Sequence, residues 1–87
     1  MNSKEQEYIL TIARERSLSR AAEKLFITQP ALSLFLSRLE EQLQVRLFER
    51  TSRGLTLTYA GERYVAFARN CLAMERSFDQ ELCDIQA

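Results

Sequence analysis

Leu34 stands on a helical face where solvent or a partner is expected. Pro30, Ser37 and Arg38 flank it, and Ser33 and Ala31 lie at the edges of the same face. At about 100° per residue the opposite side carries Leu32, Leu36, Leu39 and Leu43, spaced four, three and four apart, which is a buried stripe. The outward set mixes hydroxyls, a guanidinium and one aliphatic side chain. In a major groove such groups hydrogen-bond to base edges and phosphates, and an apolar side chain touches the thymine methyl. Phe35 lies at the flank of the core stripe, where packing is the expected fate of an aromatic. Hydrolytic or metal chemistry has no support, because the chain has no histidine and only two cysteines. Zinc spacing is absent and no Ser-His or Cys-His pair can be built.

The elements that must carry this face are readable around it. Ser19 is expected to cap a first short helix with an apolar stripe of Ala21, Ala22 and Leu25. A break follows at Ile27-Thr28, after which Thr28 caps a second helix and Pro30 falls in its first turn, where a missing N–H costs nothing. This is a helix-turn-helix. Downstream, Leu55 and Leu57 alternate with threonines at the period of a strand, and Gly54 supplies a turn after Val45 to Thr51, so a short hairpin makes the motif winged. Arg50 and Arg53 sit at or near its tip, within reach of phosphates or a narrow minor groove, although Arg50 could instead pair with Glu49 or a helix acid.

Two further helices complete the expected architecture. Ser3 and Gln6 have capping-box spacing, and Tyr8, Ile9, Ile12 and Ala13 form a stripe, which predicts a helix from about Lys4 to Glu15. From Tyr59 onward Tyr64, Ala68, Cys71, Glu75, Phe78, Leu82 and Ile85 follow heptad spacing, widened by Phe67, Leu72 and Met74. A helix of ~28 residues would be ~42 Å long and would outgrow a small core. Its distal half then needs a partner, a second copy of the chain or a further domain. The fold class is mainly α: a winged helix-turn-helix over residues 1–58, followed by a linker and dimerisation helix over 59–87.

Composition bounds the partners. The 87 residues carry no net charge, yet residues 14–53 hold eight Lys or Arg against five acids, a net +3, while residues 54–87 stand at −2. The half expected to face DNA is the basic one. Glu40-Glu41 reads as a solvated helix face. Cys71 and Cys83 lie about 18 Å apart on one helix, which excludes a disulfide between them while that helix is intact. No apolar run reaches membrane length and no signal-peptide core is present, so a cytoplasmic, non-enzymatic protein without a bound cofactor is expected.

Taken together, the runs Ser17-Leu18-Ser19-Arg20-Ala21-Ala22-Glu23-Lys24-Leu25, Thr28-Gln29-Pro30-Ala31-Leu32-Ser33, Leu39-Glu40-Glu41-Gln42-Leu43, Leu47-Phe48-Glu49-Arg50 and Leu57-Thr58-Tyr59-Ala60-Gly61 resemble the N-terminal DNA-binding domain of LysR-type bacterial transcriptional regulators. The resemblance implies a homodimer on double-stranded operator DNA. By position it assigns DNA contacts to Thr28, Gln29, Pro30, Ala31, Ser33, Leu34, Ser37 and Arg38, with Arg50 and Arg53 from the wing. The heptad residues Tyr64, Ala68, Cys71, Phe78, Leu82 and Ile85 are the expected dimerisation set. It further implies that the chain is the N-terminal part of a longer regulator that senses a small-molecule effector. Three departures stand out: Leu34-Phe35 replaces a usual polar or basic pair, and Gln44 and Arg16 each stand where the family commonly has glycine. With Gln44 there, an adjusted turn without a left-handed residue is expected. The competing reading is a winged-helix protein-interaction module that uses exposed Leu34 and Phe35.

Overall fold

The structure, a computed structural model, describes residues 3–87. Its order is α1 (Ser3–Glu15), α2 (Leu18–Leu25), α3 (Gln29–Leu43), β1 (Phe48–Thr51), β2 (Gly54–Leu57) and α4 (Tyr59–Gln86). Helices α1, α2, α3 and the start of α4 close on one core, in which Ile9, Ile12, Leu32 and Leu47 are fully buried and Ala21, Ala22, Leu36, Leu39, Phe48, Leu55 and Val65 complete the packing. Leu43, the last residue of the α3 stripe, is half-buried at the rim. The mainly helical winged architecture expected from the periodicities is the one observed.

Local chemistry explains the boundaries, with two adjustments. Ser17, not Ser19, caps α2: its hydroxyl accepts from the Arg20 N–H at 3.2 Å and its carbonyl from the Ala21 N–H at 2.9 Å. Leu18 thereby becomes the first helical residue and packs half-buried on the core. At the other end of the chain's first helix, Ser3 lies inside α1 and Gln6 is buried on its core face, so this pair does not act as a capping box. Thr28 caps α3 as expected, accepting from the Ala31 N–H at 3.3 Å, and Pro30 sits in the first turn.

The hairpin pairs Phe48 with Leu57, Glu49 with Thr56, Arg50 with Leu55 and Thr51 with Gly54. Ser52 and Arg53 form the tip, closed by the Thr51 hydroxyl, which accepts from the Arg53 N–H at 3.1 Å and donates to the Gly54 carbonyl at 3.0 Å. Thr58 then joins wing to helix. Its hydroxyl donates to the Arg46 carbonyl at 2.6 Å and accepts from the Gly61 N–H at 3.0 Å, while its own N–H donates to the Leu47 carbonyl at 3.0 Å.

Helix α4 is continuous over 28 residues, but its heptad row divides. Tyr64 and Ala68 are buried in the chain's own core, at 7% and 0% exposure, so they are not available as dimerisation residues. Cys71 is half-buried, whereas Phe78, Leu82 and Ile85 remain exposed together with Met74. Both cysteines are free thiols.

Candidate nucleic-acid interface

The first turns of α3 present their outer face to solvent. Thr28, Gln29, Pro30, Ala31, Ser37 and Arg38 are exposed and Ser33 is half-buried. The Thr28 hydroxyl is an acceptor in its cap, which leaves its proton free to donate outward. Leu34 is 50% exposed and lines a groove of about 310 Å³ with Ala31, Phe35, Arg38 and Glu5. Phe35 turns inward, its ring edge-on to Tyr8 with centroids 5.0 Å apart and an interplanar angle of 73°. Phe35 is packed, as its place beside the core stripe led one to expect, and the exposed Leu34-Phe35 pair of the competing reading is split: only Leu34 faces out.

The wing supplies the second set. Arg53 occupies the tip, while Arg50 lies back on β1 opposite Leu55, at the outer end of the face that Phe48 and Leu55 turn to the core. Both are exposed, and among the described residues neither forms an ion pair, so the expected competition from Glu49 is not realised. Arg38 is likewise exposed and unpaired among the described residues. Unneutralised guanidinium groups on exposed positions favour an anionic partner such as a phosphate backbone.

Glu40 has a task that the sequence reading missed. Its carboxylate leaves the solvated face and accepts from the Leu47 N–H at 2.6 Å and the Phe48 N–H at 3.3 Å, with Arg46 Nε 3.8 Å away. Charge-assisted bonds of this kind join α3 to the entry of β1. An acid seven residues before an apolar strand pair gives no local signal of this bond, because the contact depends on how the chain returns.

Comparison with known proteins settles the family. Residues 4–62 match the bacterial regulatory helix-turn-helix protein, lysR family. This chain is a member of the LysR family. It is 44% identical over 75 residues to the uncharacterized HTH-type transcriptional regulator YbhD of Escherichia coli, covering 86% of this chain and 23% of that protein. Among solved structures, the BenM DNA-binding domain in complex with benA site 1 DNA superposes with a TM-score of 0.91 at 31% identity, covering 100% of this chain and 98% of that one. The CbnR DNA-binding domain bound to DNA gives 0.83 at 31% identity, covering 98% and 99%. The chain thus spans 23% and 24% of two curated relatives it matches, both named as transcriptional regulators and not as enzymes.

Both departures from LysR glycines acquire a structural form. Gln44 ends α3 in the left-handed region after all, at φ 61°, with its N–H on the Glu41 carbonyl at 3.2 Å and the Val45 N–H on the Glu40 carbonyl at 3.3 Å. The expected turn without a left-handed residue is thereby corrected: the hydrogen-bonded end requires that conformation, and Gln adopts it at a steric cost that Gly would avoid. Arg16 is left-handed as well, at φ 58°, and so is Phe26 at φ 59° in the turn before α3, where its ring is 94% exposed. Among the described residues no group of three or more acids or cysteines is placed to hold a metal, and no helix is long and apolar enough to cross a membrane.

Proposed function

We propose that this chain is the operator-binding part of a LysR-type transcriptional regulator and that it acts as a homodimer on double-stranded DNA. The observation that carries the reading is the pairing of an exposed, Thr28-capped α3 face with exposed arginines on a wing that Glu40 ties to the same helix. Each α3 enters a major groove through Gln29, Ser33, Ser37 and Arg38, with Thr28, Pro30 and Ala31 at the backbone approach. Arg53 and Arg50 meet the flanking phosphates or minor groove. Two-fold symmetry then calls for a near-palindromic site with half-sites separated by whole helical turns.

Leu34 sharpens the expected site. Where a guanidinium or amide would select guanine or adenine, an aliphatic side chain offers contact to a thymine methyl and no hydrogen bond. Dimerisation is assigned to Phe78, Leu82 and Ile85, with Met74 and the half-buried Cys71 beside them; residues 59–87 would be the linker that carries them and residues 1–58 the reading head. By family analogy the full regulator works in the cytoplasm and binds a small-molecule effector through a segment outside this chain.

Selection of bound duplexes from a random pool, followed by a salt titration on the winners, tests the proposal. Expected are enriched symmetric half-sites, affinity that falls steeply with salt, and a slope reduced by about 1 in Arg53→Ala. Salt-independent retention of a protein partner that is lost on Leu34→Asp, with no duplex retained, would replace this reading with a protein-interaction module.

A further inference from the structure

The wing is a two-stranded sheet, so one edge of β2 has no strand beside it. Arg16 occupies that edge. Its N–H ends α1 on the Ile12 carbonyl at 2.8 Å, and its carbonyl accepts from the Leu55 N–H at 3.0 Å. Its side chain then returns along the same strand, with Nε donating to the Leu55 carbonyl at 3.5 Å. One residue of the α1–α2 corner thus holds both backbone groups of Leu55. Gly54, at φ +96°, lies against the same carbonyl so closely that a β-carbon there would come within 2.7 Å of it. Leu55 stands opposite Arg50, and Gly54 follows Arg53 directly, so the clamp grips the strand next to both wing arginines.

A glycine at position 16 would take the left-handed conformation without strain and keep the backbone bond to Leu55. Arginine accepts the steric cost and adds a charged donor on the strand's carbonyl. We propose that Arg16 is a positioning residue for the wing: it fixes the angle at which Arg53 and Arg50 are presented to DNA without touching DNA itself. The proposal rests on the DNA-binding reading and concerns how that binding is tuned.

Arg16→Gly and Arg16→Asn separate positioning from folding, since both residues suit the left-handed region and neither can reach the Leu55 carbonyl. Melting temperatures at or above that of the wild type are expected. In the DNA-free variants, backbone amides of β1 and β2 should exchange about five-fold faster than in the wild type, the effect of losing one hydrogen bond from a charged donor. On a selected duplex, affinity should fall by a similar factor, and Arg53→Ala should cost less in the Arg16→Gly background than alone. Unchanged wing exchange overturns the proposal. So do additive losses accompanied by a reduced salt slope for Arg16→Gly, which would make Arg16 a phosphate contact. If the wild type binds no duplex, the DNA reading fails by itself, and the exchange result still decides whether the clamp exists.

Discussion

The first three turns of α4 and its last turns carry the same spacing of apolar residues and meet different surroundings. In the first part Gly61, Tyr64, Val65 and Ala68 are buried against α1 and the wing. Past Leu72 a cleft of about 490 Å³ opens between α1 and α4, lined by Glu7, Leu10 and Arg14 on one side and Glu75, Arg76 and Asp79 on the other. Along this stretch and beyond it Met74, Phe78, Leu82 and Ile85 are exposed, at 72%, 57%, 40% and 79%. A heptad row states where apolar side chains line up along a helix. What covers them depends on how far the rest of the chain extends, and here α1, with 13 residues, is less than half as long as α4, with 28.

The most disruptive way to test this division is Ala68→Asp, which would place an unpaired carboxylate at a fully buried position. A loss of about 4 kcal/mol or more in denaturant melts is expected, and a wild-type melt would mean that the proximal face is not covered. Gly61→Ala comes next. Its methyl would collide with the Leu47 carbonyl and crowd Leu57 within 2.9 Å, for a loss of about 3 kcal/mol in the same assay.

In the distal part Leu82→Asp should leave the melt of dilute protein within about 0.5 kcal/mol of the wild type, since Leu82 lies outside the core and is not packed against it. Its effect should appear in sedimentation as weaker self-association. A large loss of stability in dilute solution would instead show that the chain covers its own distal face.

The smallest effect concerns Tyr64. Burial, helped by the negative charge of Glu5 and by Cys71, raises its hydroxyl above the ordinary 10.0. The folded chain therefore holds this proton more tightly than the unfolded one, so the contribution is fully present below pH 10 and disappears as pH rises through the elevated folded value. Tyr64→Phe should flatten that alkaline decline in melts at pH 8 to 11. At neutral pH it should shift stability by under about 1 kcal/mol, because the hydroxyl makes no hydrogen bond among the described residues.

Much of the head was legible because its signals are local. The Leu32, Leu36 and Leu39 stripe, the Thr28 cap, the inward turn of Phe35 and the turn ahead of Gly54 each follow from neighbours within a few positions. The misplaced cap shows the limit of such reasoning. Ser17 and Ser19 have the same chemistry, and the packing of Leu18 on the core selects the earlier one. Glu40 and Glu41 read together as a pair of acids on a solvated helix face; Glu41 is exposed, yet the return of β1 brings two amides to Glu40 across seven and eight residues. At the interface, the place of Phe35 beside the stripe predicts that it packs, but that its partner is the ring of Tyr8 on α1 only the tertiary structure decided.

By itself, then, the sequence determined the kinds of element, their order and the outward face of α3, since periodicity, capping and chain breaks act over one or two turns. Tertiary structure decided which apolar residues are covered, what Glu40 and Arg16 hold, and that Arg16, Phe26 and Gln44 adopt left-handed backbone. Those outcomes depend on groups brought together from distant parts of the chain. In the case of Arg16 and Leu55 the partners stand 39 positions apart.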